Sequence, residues 1–360
     1  MDLLLIIIVF AVLAIIQGFL IARFGYRGFS FRRSFSASDA GVGDSVDFLE
    51  VISNRGPLFL PWVRVEARMP ESFVFRAEED LEIRGEHYHK SVFTMTPFSR
   101  VTRRHHMVCR GRGHFVLTQA SVTMGDLLGL RLLSRDVEAP AEIFVHPALL
   151  GEDALPLPAD RAQGDVSVMR WIQPDPFLVN GIRDYRAGDP LRDIHWAATA
   201  RTGQMQVKTH DYTADPRLMV LINAQRTEDQ WGDLMEYEQD KIEYAISLAA
   251  TLCLRALGQG CEAGFAANIP LDEEETCAFS APSRGAGREE ALMRDFARLR
   301  IRRVCSFPTF LDQLPPQSAT DYVIISCYDS EVIRRHMEAM RMMGNSAVLY
   351  VLPEEVPHAT

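Results

Sequence analysis

The side chains best suited to chemistry are concentrated in residues 181–211, GIRDYRAGDPLRDIHWAATARTGQMQVKTHD. Charges of both signs alternate in this segment, and two histidines and a tryptophan lie among them. Arginine binds carboxylates and phosphates bidentately, and histidine is both a metal ligand and a general base. The candidate binding residues are Arg183, Asp184, Arg186, Asp189, Arg192, His195, Trp196, Arg201 and Lys208.

Three interpretations of this segment stay open. The first is a structural network of ion pairs in which Trp196 is a buried anchor. The second is a docking or ligand site in which the arginines bind carboxylates or phosphates. The third is catalysis or metal binding by His195, His210 and neighbouring aspartates. Because the two histidines lie fifteen residues apart without a carboxylate at helical spacing, we assign no catalytic residue and no metal ligand here.

Local signals predict the elements that position these side chains. Asp189 before Pro190 is typical of a helix start, with Asp as the N-cap and Pro in the first turn. Gly203 predicts the end of that helix. Residues 206–208 then read as a short strand.

The same segment closely resembles the signature of the domain-of-unknown-function-58 family of bacterial proteins. The matching positions are Gly181, Arg183, Tyr185, Gly188, Asp189, Arg192, Ile194, His195, Trp196, Ala200, Arg201, Val207 and Lys208. The resemblance implies membrane spans near the N-terminus, a β domain, the signature, and a von Willebrand factor A-like α/β domain. It also implies a protein partner, since genes of this family often lie beside those of MoxR-type AAA+ ATPases.

An A-like domain often holds Mg²⁺ through Asp-x-Ser-x-Ser after its first strand. Here the corresponding residues are Asn223-Ala224-Gln225-Arg226-Thr227, which replace the first carboxylate and the first hydroxyl. Neither Asp229 nor Asp329 restores the motif. We therefore expect no metal ion and no cofactor, with Mg²⁺ at this strand end as the alternative.

A second group of histidines lies in a β-rich region whose polar and apolar residues alternate. It consists of His87, His89, His105, His106 and His114. His87 and His89 would face the same side of a strand. We interpret these residues as a polar strand surface rather than a metal site.

The N-terminus predicts a membrane anchor. Residues 3–22 are uncharged and apolar except for Gln17, which is the length that a hydrocarbon core requires. Arginines follow the span at Arg23, Arg27, Arg32 and Arg33, and no Lys or Arg precedes it. The positive-inside rule then predicts a single-pass protein of the cell membrane whose C-terminal part is cytoplasmic. A net charge of −10 argues against a nucleic-acid partner.

The sequence predicts a multidomain chain. It comprises a transmembrane anchor with a basic juxtamembrane segment (1–34), an antiparallel β-sandwich-like domain (35–150), a linker (151–180), the signature segment (181–216) and an A-like α/β domain with a mostly parallel sheet (217–360). We expect a non-enzymatic adaptor or assembly factor whose partner is a MoxR-type AAA+ ATPase or another protein. The alternative is a cell-envelope enzyme or metal-dependent ligand-binding receptor that uses residues 181–211.

Overall fold

The structure is a computed structural model, and it describes residues 2–75, 88–129, 131–151, 179–186, 194–210, 217–230 and 239–354. The chain divides into two compact units, Met1–Ala148 and Leu149–Ala359. Most of the predicted linker, residues 152–178, lies outside the described residues.

The first unit begins with the apolar helix α1 (Asp2–Phe24). Its stretch Ile7–Phe24 is long and apolar enough to cross a membrane, judged by length and composition. Large side chains such as Ile15 and Phe19 are exposed. By contrast, Ile21 in the last turn is buried in the core of the following β domain. The predicted apolar N-terminal helix is therefore present, and its C-terminal end is part of a folded unit.

Two sheets follow the helix. Their strands are β1 (Phe29–Phe35), β2 (Asp39–Gly41), β3 (Ser45–Asn54), β4 (Leu60–Arg68), β5 (Phe73–Phe75), β6 (Tyr88–Met95), β7 (Ser99–Cys109), β8 (Gly113–Gly125) and β9 (Leu132–His146). The orders are β1-β3-β7-β5 and β2-β9-β8-β4-β6. All described pairings are antiparallel except that of β2 with β9. The expectation of an antiparallel β-rich region is confirmed.

Alternation of side chains explains the core between these sheets. In β3, Val46, Phe48 and Ile52 point inward and are buried, as a strand covered on one face requires. Phe31 and Ile52 from one sheet share a cluster with core residues of the other. The two sheets therefore bury their apolar faces against each other.

Strand β1 begins within the segment 1–34, which was expected to be the anchor and its basic flank, and ends one residue beyond it. It pairs with β3 over its whole length. Arg33 is buried, and its Nε and Nη2 atoms donate to the carbonyls of Ala139 and Gln119 at 2.6 and 3.0 Å. Arg33 is therefore part of the sandwich interior rather than a free juxtamembrane charge.

The second unit contains a small hairpin and an α/β sheet. Its elements are β10 (Val179–Asp184), α2 (Trp196–Thr202), β11 (Gln206–His210), β12 (Arg217–Ile222), α3 (Asp240–Gly258), β13 (Glu262–Ala267), β14 (Ala278–Ser283), α4 (Arg288–Arg298), α5 (Phe307–Gln313), β15 (Thr320–Ser326), α6 (Glu331–Met342) and β16 (Ser346–Val351). The larger sheet has the order β14-β13-β12-β15-β16. Only its edge strand β14 is antiparallel, so the sheet is mixed.

Central strand β12 is apolar on both faces because helices cover both faces. Val220 packs in one core with residues of α3 and α4. Leu221 packs in the opposite core with residues of α5 and α6. This arrangement brings the carboxyl ends of β12, β13 and β15 to one edge of the sheet.

Candidate functional site

The predicted signature segment folds around a two-stranded antiparallel hairpin of β10 and β11, with α2 between them in sequence. Ile182 pairs with Lys208, and Asp184 pairs with Gln206. Gly203 ends α2 with a φ of 72°, a left-handed conformation that favours glycine. The predicted helix end at Gly203 and the predicted strand at 206–208 are therefore confirmed.

Helix α2 starts later than the sequence predicted. It begins at Trp196 with His195 as its N-cap, and the expected cap Asp189 lies outside the described residues. The Nδ1 atom of His195 accepts a hydrogen bond from the backbone N–H of Ala198 at 3.1 Å. Its own backbone N–H donates to the carbonyl of Gln206 at 2.8 Å. His195 thus holds the helix start on β11.

The expectation that Trp196 is a buried anchor is wrong. Its side chain is 70 % exposed. Thr199 lies on the inner side of the helix, where its Oγ1 accepts from the backbone N–H of Gln206 at 3.0 Å. Trp196 and Arg201 instead share the outer side of α2 with two exposed alanines, Ala197 and Ala200. The helix therefore presents an exposed aromatic ring and, five residues further along, an exposed cation.

The charged residues of β10 make short-range contacts. Gln206, which is buried, donates from Nε2 to Oδ1 of Asp184 at 2.5 Å. Arg183 donates from Nη1 to the carbonyl of Asp184 at 3.1 Å. This part of the segment fits the structural interpretation, whereas the outer side of α2 fits the docking interpretation.

The remaining predicted site residues are placed as follows. Lys208 is half-buried on β11, and Arg186 is exposed just after β10. Arg192 and Asp189 lie outside the described residues. The hairpin therefore brings together Arg183, Asp184 and Lys208, with His195, Trp196 and Arg201 on the adjoining helix.

A second polar cluster, the strand-end cluster, lies where β12, β13 and β15 end. Its residues are Asn223, Gln225, Asn268 and Ser326, all of them buried. Asn223 donates from Nδ2 to Oγ of Ser326 at 3.0 Å and accepts at Oδ1 from the backbone N–H of Gln225 at 3.0 Å. Oδ1 of Asn268 accepts from the backbone N–H of Ala224 at 2.8 Å.

Two further contacts tie this cluster to its surroundings. Oε1 of Gln225 accepts from the backbone N–H of Phe307 at 2.6 Å, which fixes the start of α5. The hydroxyl of Ser326 donates to the carbonyl of Tyr328 at 2.6 Å. The cluster therefore locks three strand ends and one helix together with neutral groups.

The strand-end cluster occupies the position where ligands bind in many open α/β sheets, because successive crossovers turn to opposite sides between β12 and β15. Mg²⁺ prefers carboxylate oxygens, and these four side chains are uncharged. Asp329, the nearby carboxylate considered from the sequence, forms an ion pair with Arg334. The donor set thus suits hydrogen bonding better than binding of a dication.

Sequence reasoning missed Asn268 and Ser326. The available signal was their position, because Asn268 directly follows the apolar strand β13 and Ser326 is the last residue of the apolar strand β15 in the same sheet. Carboxyl ends of neighbouring parallel strands meet at one edge, so such residues are brought together.

The interpretation of the β-domain histidines as a polar surface is wrong for two of them. His89 and His105 are buried, whereas His106 is exposed. His89 is on β6 and His105 is on β7, which belong to different sheets. His87 lies outside the described residues. Side chains alternate between the two faces of a strand, and each of these two histidines occupies a position that faces the core.

Comparison with protein families agrees with the signature. Residues 181–322 match the family described as Protein of unknown function DUF58. These residues therefore form a DUF58 region of the chain. The matched region runs from the hairpin into strand β15 of the mixed sheet. No curated protein matches the chain.

Solved structures resemble the chain only distantly. The CARDB domain of a Pyrococcus furiosus protein, solved in complex with di-metal ions, is 12 % identical; the match covers 32 % of this chain and 93 % of that one, with a TM-score of 0.22. A non-cellulosomal cohesin from Archaeoglobus fulgidus is 11 % identical, with coverages of 32 % and 91 % and a TM-score of 0.23. Scores this low carry no functional argument.

Proposed function

We propose that this protein is a membrane-anchored adaptor or assembly factor that acts through protein–protein contacts made by the outer side of α2. The observation that carries the proposal is that Trp196 is 70 % exposed on α2, a helix that also carries the exposed Arg201. Tryptophan and arginine are enriched among the residues that dominate binding at protein interfaces. An exposed pair of this kind on one short helix suits a docking surface.

We further infer that the α/β part of the second unit is a von Willebrand A-like module that works without Mg²⁺. Its mixed sheet is covered by helices on both faces, which agrees with that fold. The neutral strand-end cluster stands where such modules often hold the ion. A module locked by amides serves as a rigid scaffold for protein contacts.

The anchor is α1, and the cytoplasmic orientation of the following domains is part of the proposal. Its support is the exposed arginines Arg23, Arg27 and Arg32 after the apolar stretch. Arg33 no longer contributes because it is buried. A cytoplasmic location is also what a MoxR-type AAA+ partner, expected from the family resemblance, requires.

Capture of the partner tests the proposal. The affinity-tagged full chain is solubilised from membranes in detergent, and co-purified proteins are identified by mass spectrometry. We expect a MoxR-type AAA+ ATPase. Trp196→Ala and Arg201→Glu should each weaken its capture, by about 2 kcal/mol or roughly 30-fold for a dominant interface residue.

The matched controls lie on α6, away from the signature. Met342→Ala removes an 88 % exposed apolar side chain, and Arg335→Glu reverses an exposed charge. Both should leave capture unchanged. Equal capture by all four variants would contradict the docking role of α2, and capture of no ATPase by the wild type would contradict the partner.

A further inference from the structure

The interior of the β sandwich holds a cluster of side chains that the adaptor role does not use. It consists of Glu50 on β3, His105 on β7 and His89 on β6. Their exposed fractions are 0 %, 7 % and 3 %, so the cluster lies out of contact with bulk water. Isolated charges are rarely buried in this way unless they are paired or bind a metal ion.

The polar atoms of the cluster converge on one point. Oε2 of Glu50 lies 3.1 Å from Nε2 of His105 and 3.4 Å from Nε2 of His89. The three ligand atoms all lie within 4.8 Å of one another. For Zn²⁺ bound tetrahedrally at about 2.0–2.1 Å, neighbouring ligand atoms are separated by about 3.3 Å. The distances of the two imidazole nitrogens from Oε2 of Glu50 are close to that separation.

We propose that Glu50, His89 and His105 bind a divalent transition-metal ion, with Zn²⁺ as the ion that the ligand set fits best. Two imidazoles and one carboxylate are ligands that Zn²⁺ accepts. Oγ of Ser91 lies 2.7 Å from Oε2 of Glu50 and 3.0 Å from Nε2 of His89, next to the position of a fourth ligand.

The hydrogen-bonding pattern supports an ion at this point. Three polar groups crowd Oε2 of Glu50, while its Oε1 is buried and has no hydrogen-bond partner among the described residues. A buried polar atom without a hydrogen-bond partner is unusual in a folded protein. A cation bound between Oε2 and the two imidazoles accounts for the crowding.

The surroundings favour a structural ion. The ring of His89 stacks on Phe75 with centroids 5.2 Å apart and lies edge-on to Phe48 at 5.9 Å. Glu50 and His105 belong to one sheet, and His89 and Ser91 belong to the other. An ion held here therefore cross-links the two sheets of the sandwich, and its binding stabilises the folded state.

One charge opposes the ion. Arg33 is paired in register with Glu50 across β1 and β3 and interacts with it electrostatically. Two of its guanidinium nitrogens are engaged by carbonyls of the opposite sheet, as described above. The competing arrangement is an ion-free network in which Arg33 balances the charge of Glu50.

Metal analysis of the full chain in detergent separates these two arrangements. The purified protein is stripped with a chelator, dialysed against micromolar Zn²⁺, and assayed for bound zinc by atomic emission. We expect about one zinc per chain and a melting temperature that rises on zinc addition. No retained zinc and an unchanged melting temperature would overturn the proposal and favour the Arg33 network.

Substitutions of the three cluster residues test whether they are the side chains that bind the ion. His89→Ala, His105→Ala and Glu50→Gln should lower zinc affinity at least about tenfold. The controls are His106→Ala, which removes an exposed imidazole on the same strand as His105, and His114→Ala, which removes an imidazole paired with Glu142. Loss of zinc in a control, with retention in the three cluster variants, would overturn the assignment.

A spectroscopic measurement on the wild-type chain tests the proposal even if the variants fail to fold. Co²⁺ replaces Zn²⁺ in tetrahedral sites and absorbs visible light there. The wild-type chain should show this absorption with Co²⁺ and lose it when Zn²⁺ is added. A spectrum identical to that of Co²⁺ in buffer would overturn the proposal without any variant.

Discussion

At the residue scale, exposure decides what Trp196 contributes. Because 70 % of its surface is already in water, truncation removes little burial and creates no cavity. Trp196→Ala should change the free energy of unfolding by less than about 0.5 kcal/mol. Denaturant unfolding of the detergent-solubilised chain measures this change.

The control for that prediction is an aromatic ring that is buried rather than exposed. Phe265 is fully buried and stacks on Phe296 with centroids 4.1 Å apart. Phe265→Ala should cost about 3–5 kcal/mol. A loss of similar size for Trp196→Ala would revive the interpretation of Trp196 as a buried anchor.

The inward position of Glu50 on its strand could have been recognised from the sequence. It occupies the same phase of β3 as Val46, Phe48 and Ile52, which are all inward positions. A glutamate in the core phase of an alternating strand predicts a buried partner. Burial and the hydrogen bond with His105 have opposite effects on this carboxyl group, and the net result is a pKa lowered to about 2.

At the element scale, the strand-end cluster fixes how three strands and α5 meet. Asn223→Asp would place a carboxylate where Asn223 now donates to Ser326, in a site with no exposure. An uncompensated buried charge costs on the order of 3 kcal/mol, so the variant should unfold more readily. Thermal unfolding compared with the wild type measures the loss.

The same cluster yields a prediction about magnesium. Because its four side chains are neutral and hydrogen-bonded to one another or to nearby backbone, millimolar Mg²⁺ should leave the melting temperature of the wild type unchanged. A ligand at about 100 times its dissociation constant would add roughly 2.7 kcal/mol. A Mg²⁺-dependent rise in the wild type would show that the strand end binds the ion despite its residues.

At the scale of the whole molecule, α1 is expected both to anchor the chain in the membrane and to contribute Ile21 to the sandwich core. A series of truncations separates these two roles. Removing residues 2–16 deletes most of the apolar stretch but keeps Ile21, which is 1 % exposed in the sandwich core. This variant should move from the membrane fraction to the soluble fraction with little loss of stability. Fractionation and thermal unfolding are the measurements.

Removal of residues 2–24 is the informative comparison. It also deletes Ile21, so the sandwich should lose on the order of 3 kcal/mol relative to the shorter truncation. Equal stability of both truncations would mean that the last turn of α1 contributes nothing to the core. Retention of both in the membrane fraction would contradict anchoring by α1.

Orientation is tested by reporter fusions after Thr360. Since the exposed arginines all follow the apolar stretch, a reporter active only in the cytoplasm should be active, and one active only outside should be silent. The reverse pattern would overturn the orientation and, with it, the proposed AAA+ partner.

Patterns along the amino-acid sequence predict the class of structure in each part of the chain. Apolar and alternating patterns predict α1, a β-rich first region and an α/β second region, because burial patterns follow local geometry. The signature residues also identified the DUF58 family. These features depend on residues that are close together in the chain, so they can be predicted from a single sequence.

Which side chains meet and which face water depends on how the elements pack. Trp196 is exposed because the side of α2 that packs on β11 carries Thr199, and no local pattern specifies that side. Glu50, His89 and His105 converge because β3, β6 and β7 come from two sheets that pack face to face. Such contacts join residues far apart in the chain, so their physical cause is the packing of whole elements.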